Sequence, residues 1–171
     1  MSERLPKVDE ALEGMARKLA DMIEGGGPEE PLMIGIRTGG AWVAERLHVG
    51  LSLKEPLGML DIAFYRDDFS QVGIDPMVRP SHLPVDLDGR NVILVDDVLH
   101  TGRTIRAALN EIFDYGRPAS VKLAVLIDRG GRELPIQADI VGTELHLKNG
   151  EHVKLQGPEP LSLELRSEVD G

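Results

Sequence analysis

The thirteen residues Val92–Thr104, VILVDDVLHTGRT, constrain this chain more than any other stretch. Asn91-Val92-Ile93-Leu94-Val95 is an apolar run without alternation, the pattern of a strand buried on both faces of a parallel sheet. Two adjacent carboxylates, Asp96 and Asp97, close it. The turn Thr101-Gly102-Arg103-Thr104 then opens a helix predicted from about Arg103 to Asp114. Ile105, Leu109 and Ile112 are its apolar stripe, and Gly116 and Pro118 follow its end. Open parallel sheets bind ligands beyond the carboxyl ends of their strands. A helix start adds unpaired N–H groups and a positive dipole end, both suited to phosphate. Gly102 lets the backbone come close, and Thr101 and Thr104 add hydroxyls. The two acids lie a few residues away, as far as a sugar lies from its 5′-phosphate, and can accept hydrogen bonds from ribose hydroxyls or hold Mg²⁺. The unit suits a ribose 5-phosphate. The plainer alternative is an Asp-Asp pair that ends a strand and a threonine that caps a helix.

The rest of the chain gives this unit a consistent setting. Val8, Leu12, Met15, Leu19 and Ile23 recur at helical spacing, and Gly25-Gly26-Gly27-Pro28 ends that first helix. Leu32–Ile36 reads as a buried strand, Gly39-Gly40 as a turn into a helix from Ala41 to about His48, and Met59–Phe64 and Ser120–Ile127 as further strands. Tyr65–Pro84 is polar and proline-containing, a loop of a length that is often functional. Strands alternating with helices predict an α/β fold with a mostly parallel central sheet flanked by helices. After Ile140-Val141 the pattern changes to period two in Val153–Leu155 and Leu161–Leu165, which predicts antiparallel C-terminal edge strands. A chain of 171 residues buries about 69% of its unfolded surface, enough for one core and poor for two. One domain is predicted over 1–171, with a flexible loop at about 65–84 and a small hood with edge strands at about 128–166.

Charge and composition narrow the function. The formal net charge is −10, with 4 basic and 8 acidic side chains in residues 1–30 and 3 and 6 in residues 144–171. Acidic ends disfavour non-specific nucleic-acid binding, which needs many cationic phosphate contacts. The absence of cysteine rules out a thiolate zinc site. No apolar run approaches membrane-spanning length and Met1–Pro6 is no signal peptide, so a cytoplasmic protein is expected.

Taken whole, the run 92–104 resembles the signature of the type I phosphoribosyltransferases, which bind phosphoribosyl pyrophosphate there. Asp61–Asp68 (DIAFYRDD) and Leu126–Pro135 (LIDRGGRELP) resemble the PyrR branch, pyrimidine operon regulators that are also uracil phosphoribosyltransferases. The match covers about residues 9–143, and the last 28 residues match only loosely. The resemblance implies a parallel-sheet core with a hood, Mg²⁺, a homodimer or higher homo-oligomer, and the reaction of uracil with phosphoribosyl pyrophosphate to give UMP and pyrophosphate. It implies that Asp96 and Asp97 hold the ribose hydroxyls. The 101–104 loop would hold the 5′-phosphate, within a substrate-binding segment of Val98, Leu99, His100, Thr101, Gly102, Arg103 and Thr104. Within it His100 occupies a variable position and reads as structural. Ile36-Arg37-Thr38-Gly39-Gly40 would be the pyrophosphate loop, a turn at which the family often has a strained or cis peptide. Residues 65–84 would close over the reacting centre and exclude water, bringing Arg66 or Arg79 to the pyrophosphate, Arg79 as a catalytic residue. Arg129 would contact pyrophosphate or nucleotide. Asp97 and Asp128 would be metal ligands, Asp128 as the second. Trp42 reads as helix packing and His82 as solvated.

Two other classes compete with the enzyme. The resemblance also implies an RNA-binding attenuator responsive to UMP or UTP, whose cations come from the first helix and from the R-E-L-P segment. Arg132 is present, but Gln137 stands where attenuators commonly have arginine, and Asp21 and Glu13 accompany Arg17 and Lys18. These residues argue against RNA binding. Ile93–Asp97 also resembles the first acidic strand of a receiver domain. That fold begins with the strand, whereas about 90 residues precede it here, and T-G-R-T has no role in it.

Overall fold

The computed structural model describes residues 5–27, 29–62 and 81–167. Three helices and seven strands follow in the order α1 (Val8–Glu24), β1 (Leu32–Ile36), α2 (Gly39–Leu51), β2 (Gly58–Leu60), β3 (Asn91–Leu99), α3 (Arg103–Tyr115), β4 (Ser120–Asp128), β5 (Ile140–Glu144), β6 (Glu151–Gln156) and β7 (Ser162–Ser167). Five strands form one sheet in the order β2-β1-β3-β4-β5. Every pairing in it is parallel, with Ile34 beside Leu94 and Val98 beside Ile127. This is the doubly wound order in which the chain leaves the centre in both directions. Its switch point lies between β1 and β3.

Alternation along the strands builds the two layers. Met33, Ile93, Val95, Ala124 and Leu126 face α1 and α2, where Leu12, Met15, Leu19 and Val43 cover them. Ile34, Val92, Leu94, Leu123 and Val125 face α3, under Ile105, Ala108 and Ile112. Buried on both faces, β1 is apolar at every position, as its sequence predicts.

Four expectations need adjustment. The strand predicted over Met59–Phe64 is the short β2, Gly58–Leu60; Asp61 and Ile62 lie beyond its end, and residues 63 and 64 lie outside the described ones. The acidic pair does not end its strand: β3 runs on through Asp96 and Asp97 to Leu99. The chain's alternation slips there, because Val95 and Val98 join one layer while Leu94 and Leu99 join the other. The helix predicted from Ala41 begins at Gly39 and runs to Leu51. The predicted antiparallel edge strands do pair with each other, but as a separate two-stranded ribbon. The ribbon turns Val153 and Leu155 into the α1/α2 layer, and Leu161 and Trp42 crowd its Gly157. The sheet's edge is instead β5, parallel to β4. Among the described residues no helix is long and apolar enough to cross a membrane.

Candidate active site

Two turns leave the sheet at the switch point, one after β1 and one after β3. The first is Arg37–Gly40. The Arg37–Thr38 peptide is cis. The Arg37 N–H donates to the Leu60 carbonyl at 2.9 Å, which anchors the turn to β2. Thr38 is the N-cap residue of α2 and its side chain makes no capping bond. The helix start presses directly on the acidic pair. A Cβ on Gly39 would lie 2.1 Å from Asp97 Oδ2. One on Gly40 would lie 2.7 Å from the Val95 carbonyl oxygen and 2.9 Å from Asp96 Cα. Only glycine permits this approach, which sets a carboxylate at the positive end of α2.

The two carboxylates are not equivalent. Asp96 is 4% exposed, and its Oδ1 accepts the Asp97 N–H at 2.8 Å. Asp97 is half-buried, and its Oδ1 accepts the Val98 N–H at 2.8 Å. Each acid thus shapes the backbone where the alternation slips. Asp97 is the one that remains open to a ligand.

The second turn, His100–Arg103, opens α3. Gly102 is the N-cap residue with φ +95°, a conformation that favours glycine. Thr101 Oγ1 accepts the Arg103 N–H at 3.1 Å, and the Arg106 N–H closes the first helical turn onto the Gly102 carbonyl at 2.9 Å. The N–H groups of Thr104 and Ile105 have no partner within the helix. Val98 and Leu99 are packing residues by their side chains. Leu99 enters the sequence-predicted segment through its backbone, where its carbonyl accepts the Arg129 N–H at 3.0 Å. His100 Nδ1 lies 2.9 Å from the Gly130 carbonyl oxygen and its ring covers Gly131, which fits the structural role read from the sequence.

Asp128 and Arg129 sit at the end of β4 and bond to different neighbours. Asp128 Oδ1 accepts the Gly130 N–H at 2.9 Å, and Oδ2 accepts Arg132 Nη2 at 2.7 Å. Burial pushes the Asp128 carboxyl up, but the hydrogen bonds from Arg132 and Gly130 and the Arg132 charge outweigh it and hold the group below its ordinary value. Arg129 turns toward the ribbon. Its Nη2 donates to the Glu151 carbonyl at 3.1 Å, Nη1 lies 3.5 Å from His152 Nδ1, and Nε is buried without a partner. The ion pair at this corner is therefore Asp128–Arg132, one helical turn's spacing in sequence but made across a loop. Arg66 and Arg79 lie outside the described residues, as does most of the 65–84 segment.

Mg²⁺ takes oxygen ligands and commonly binds through one or two carboxylates plus substrate phosphates. Asp97, half-buried against a helix start, fits that chemistry. Asp128 already has both oxygens engaged. Among the described residues no group of three or more His, Cys, Asp or Glu comes together as an all-protein cage.

Sequence reasoning missed two features. One is the internal role of Arg132, which the sequence offered only as a cation for RNA but which bonds to Ile136, His100 and Asp128. The other is Glu111, 8% exposed on α3, whose Oε1 accepts Ser81 Oγ at 2.7 Å while Ser81 Oγ accepts the Asp61 N–H at 3.0 Å. With the paired Met59 and His82 backbones, this bond joins the two ends of the 62–81 stretch.

The phosphoribosyl transferase domain model matches residues 3–156. The fold is shared with solved structures of a hypoxanthine-guanine phosphoribosyltransferase from Bacillus anthracis (TM-score 0.66, 19% identity, 85% of each chain covered) and a hypoxanthine phosphoribosyl transferase from Trypanosoma cruzi (TM-score 0.64, 23% identity, 85% of this chain and 80% of that one). The chain is a phosphoribosyltransferase of the type I fold. Two relatives are each named bifunctional protein PyrR. The one from Pseudomonas aeruginosa is 58% identical over 94% of both chains. That from Nitrosococcus oceani is 62% identical over 80% of this chain and 78% of its own. This chain belongs to the PyrR family.

Proposed function

We propose that the chain transfers the phosphoribosyl group of phosphoribosyl pyrophosphate to uracil, giving UMP and pyrophosphate. The observation that carries this reading is the junction at the switch point. There the start of α2 touches the Asp96–Asp97 pair, and the turn 101–104 opens α3 a few residues on. Pyrophosphate fits the open N–H groups after Thr38, the 5′-phosphate those after Gly102, and the ribose the carboxylate of Asp97 between them. Breaking the anomeric C–O bond leaves its electron pair on pyrophosphate and positive charge on the ribose, which a ring nitrogen of uracil quenches as it loses a proton to solvent. A carboxylate placed beside the developing charge favours that transition state. Mg²⁺, when bound, would supply charge neutralisation of the leaving pyrophosphate, and Asp97 would hold it. Arg37, Arg66 and Arg79 are the arginines assigned to pyrophosphate. Arg129, engaged with the ribbon, would reach a nucleotide only by leaving Glu151.

The test is pyrophosphate release with each nucleobase in turn. Uracil is expected to turn over, and hypoxanthine and guanine are not; EDTA should abolish the reaction and Mg²⁺ restore it. Turnover of a purine without uracil would overturn the assignment. A homodimer or larger symmetric oligomer in the cytoplasm accompanies this reading. Phe113 and Tyr115 on the outer side of α3, exposed in the single chain, are surface it would cover. A monomer in sedimentation at micromolar concentration would remove that part.

The relatives' names raise a second reading, an RNA-binding regulator. Two of the three cations that it would use are engaged within the fold. Lys18 Nζ donates to the Val141 carbonyl at 2.8 Å, and Arg132 makes three internal bonds. With Gln137 and the charge of −10, weak RNA binding is expected. Filter binding of the operon leader RNA at about 0.1 M salt checks it, and nanomolar, UMP-stimulated binding would restore the bifunctional reading.

A further inference from the structure

The R-E-L-P segment is more than a signature and a source of cations. Its geometry gives it another task. The Arg132 guanidinium is 24% exposed by its side chain, and each of its nitrogens donates to a different segment. Nε donates to the Ile136 carbonyl at 2.7 Å, Nη1 to the His100 carbonyl at 2.9 Å, and Nη2 to Asp128 Oδ2 at 2.7 Å. His100 is the first residue of the turn that opens α3, Asp128 ends β4, and Ile136 directly follows the R-E-L-P segment. That segment lies along the turn. The Thr101 carbonyl accepts the N–H groups of both Glu133 at 2.9 Å and Leu134 at 3.1 Å. Leu134 and Ile136 fill the space beside Gly102, within 3.1–3.4 Å of where its Cβ would be. Arg103 Nε is 3.1 Å from Glu133 Oε1. Every residue from His100 to Arg103 is thus held by residues 130–136, and Arg132 fixes that brace to the sheet.

We propose that Arg132 is a positioning residue for the phosphoribosyl site: it presets the turn His100–Arg103 for the 5′-phosphate and is not a cation offered to an external ligand. This rests on the assignment of that turn to the 5′-phosphate. Guanidinium is suited to the task because its planar fork carries donors in fixed directions, so one side chain sets the relative positions of three backbones. A turn already in its binding geometry spends no affinity on ordering when phosphate arrives.

The test uses full-length protein and two probes, ribose 5-phosphate and pyrophosphate, as competitive inhibitors of phosphoribosyl pyrophosphate. Arg132→Gln should weaken ribose 5-phosphate inhibition and raise KM for phosphoribosyl pyrophosphate at least tenfold. The pyrophosphate inhibition constant should stay within about twofold. Arg132→Lys keeps the charge and one donor and should fall between; it carries the same test should the glutamine variant fail to fold. Arg166→Gln, which removes an exposed arginine from the ribbon, should match wild type. Loss of pyrophosphate inhibition with ribose 5-phosphate inhibition intact would make Arg132 a direct ligand and overturn the proposal, as would no change in either constant. Thr104→Val separates the proposal from its premise. If it leaves ribose 5-phosphate inhibition intact, the turn is not the phosphate site and both fall. If it weakens that inhibition while Arg132→Gln does not, the premise stands and Arg132 alone is removed.

Discussion

The two turns at the switch point follow neighbouring strands and are held in opposite ways. Arg37–Gly40 is fixed by contact: α2 starts so close to β3 that Gly39 and Gly40 rest on Asp97, Val95 and Asp96. His100–Arg103 is fixed by hydrogen bonds supplied from elsewhere, through Arg132, Glu133 and Leu134. The difference suits what each has to hold. On the assignment proposed above, a pyrophosphate turn that touches the ribose-binding acid would couple leaving group and sugar in one rigid unit. A phosphate turn braced from outside can be preset without placing side chains in the ligand's path. It also means that the first turn should fail through sterics at a single atom and the second by degrees.

The largest effects belong to the first turn. Gly39→Ala puts a methyl 2.1 Å from Asp97 Oδ2, so the carboxylate or the helix start must move. We expect kcat/KM to fall at least about 100-fold, near 3 kcal/mol, with a small change in Tm because the obstacle is a side-chain end. Asp97→Asn keeps the shape and removes the charge, and should cost at least tens-fold, about 2 kcal/mol, with folding intact. Near-normal kcat/KM for it would make Asp97 a backbone-shaping residue only. Gly40→Ala meets backbone atoms instead and should lower Tm together with activity.

Next comes Gly102→Ala in the second turn. Its φ of +95° and the neighbours Ile136 and Leu134 at 3.1–3.4 Å leave the methyl little room. The left-handed conformation alone costs about 1–2 kcal/mol for an alanine. We expect roughly a tenfold rise in KM for phosphoribosyl pyrophosphate with kcat changed less, measured by initial rates. Equal loss in kcat and kcat/KM would show that the second turn acts only in the transition state.

The contrast also marks what could be read from sequence. The α1 stripe and the apolar strands β1, β3 and β4 are local signals and lie where the hydrophobic pattern placed them, and the turn T-G-R-T opens α3 as expected, although β3 runs on through the acids to Leu99. The slip of alternation at Asp96–Asp97 was illegible because the bonds that shape it run from each side chain to the next residue's N–H, and no hydrophobic pattern records them. Period two in Val153–Leu155 and Leu161–Leu165 gave the antiparallel pairing but not the partner sheet, since alternation says which face is apolar and nothing about which edge is free. The brace on the second turn was hidden for a related reason. Arg132 bonds to residues 4 and 32 positions away, and a charged side chain in a charged segment reads as solvated until the fold gathers its acceptors.

Asp128→Asn tests the brace from its sheet end. The carboxyl sits below its ordinary value of 3.8 because Arg132 and Gly130 favour its charged form. A depressed acid contributes stability above its unfolded pKa and loses it as pH falls through the folded one. The variant should therefore be less stable at pH 7 by about 1–2 kcal/mol, the worth of a charged hydrogen bond reduced for partial exposure. That gap should close as pH drops below about 4, followed by denaturant titration. A gap independent of pH would mean that the Arg132–Asp128 pair contributes nothing through charge.

The smallest effect checks that the second turn depends on its brace and not on the general stability of α3. Glu111 lies on the same helix, two turns beyond Arg103. Burial, partly offset by the Ser81 bond and reinforced by the negative charges of Asp61 and Asp114, holds its carboxyl above the ordinary 4.5. The sign is then the reverse of Asp128. The cost of keeping Glu111 charged in the fold is absent below its unfolded pKa and is fully present above its folded one. Glu111→Gln removes that cost while its carbonyl oxygen still accepts the Ser81 hydroxyl. Tm should rise by about 2 °C at pH 8, with no gain at pH 4, and ribose 5-phosphate inhibition should not move. If the inhibition weakens as Tm rises, the phosphate turn answers to the whole of α3, and the distinction between a turn fixed by contact and a turn fixed by its brace is lost.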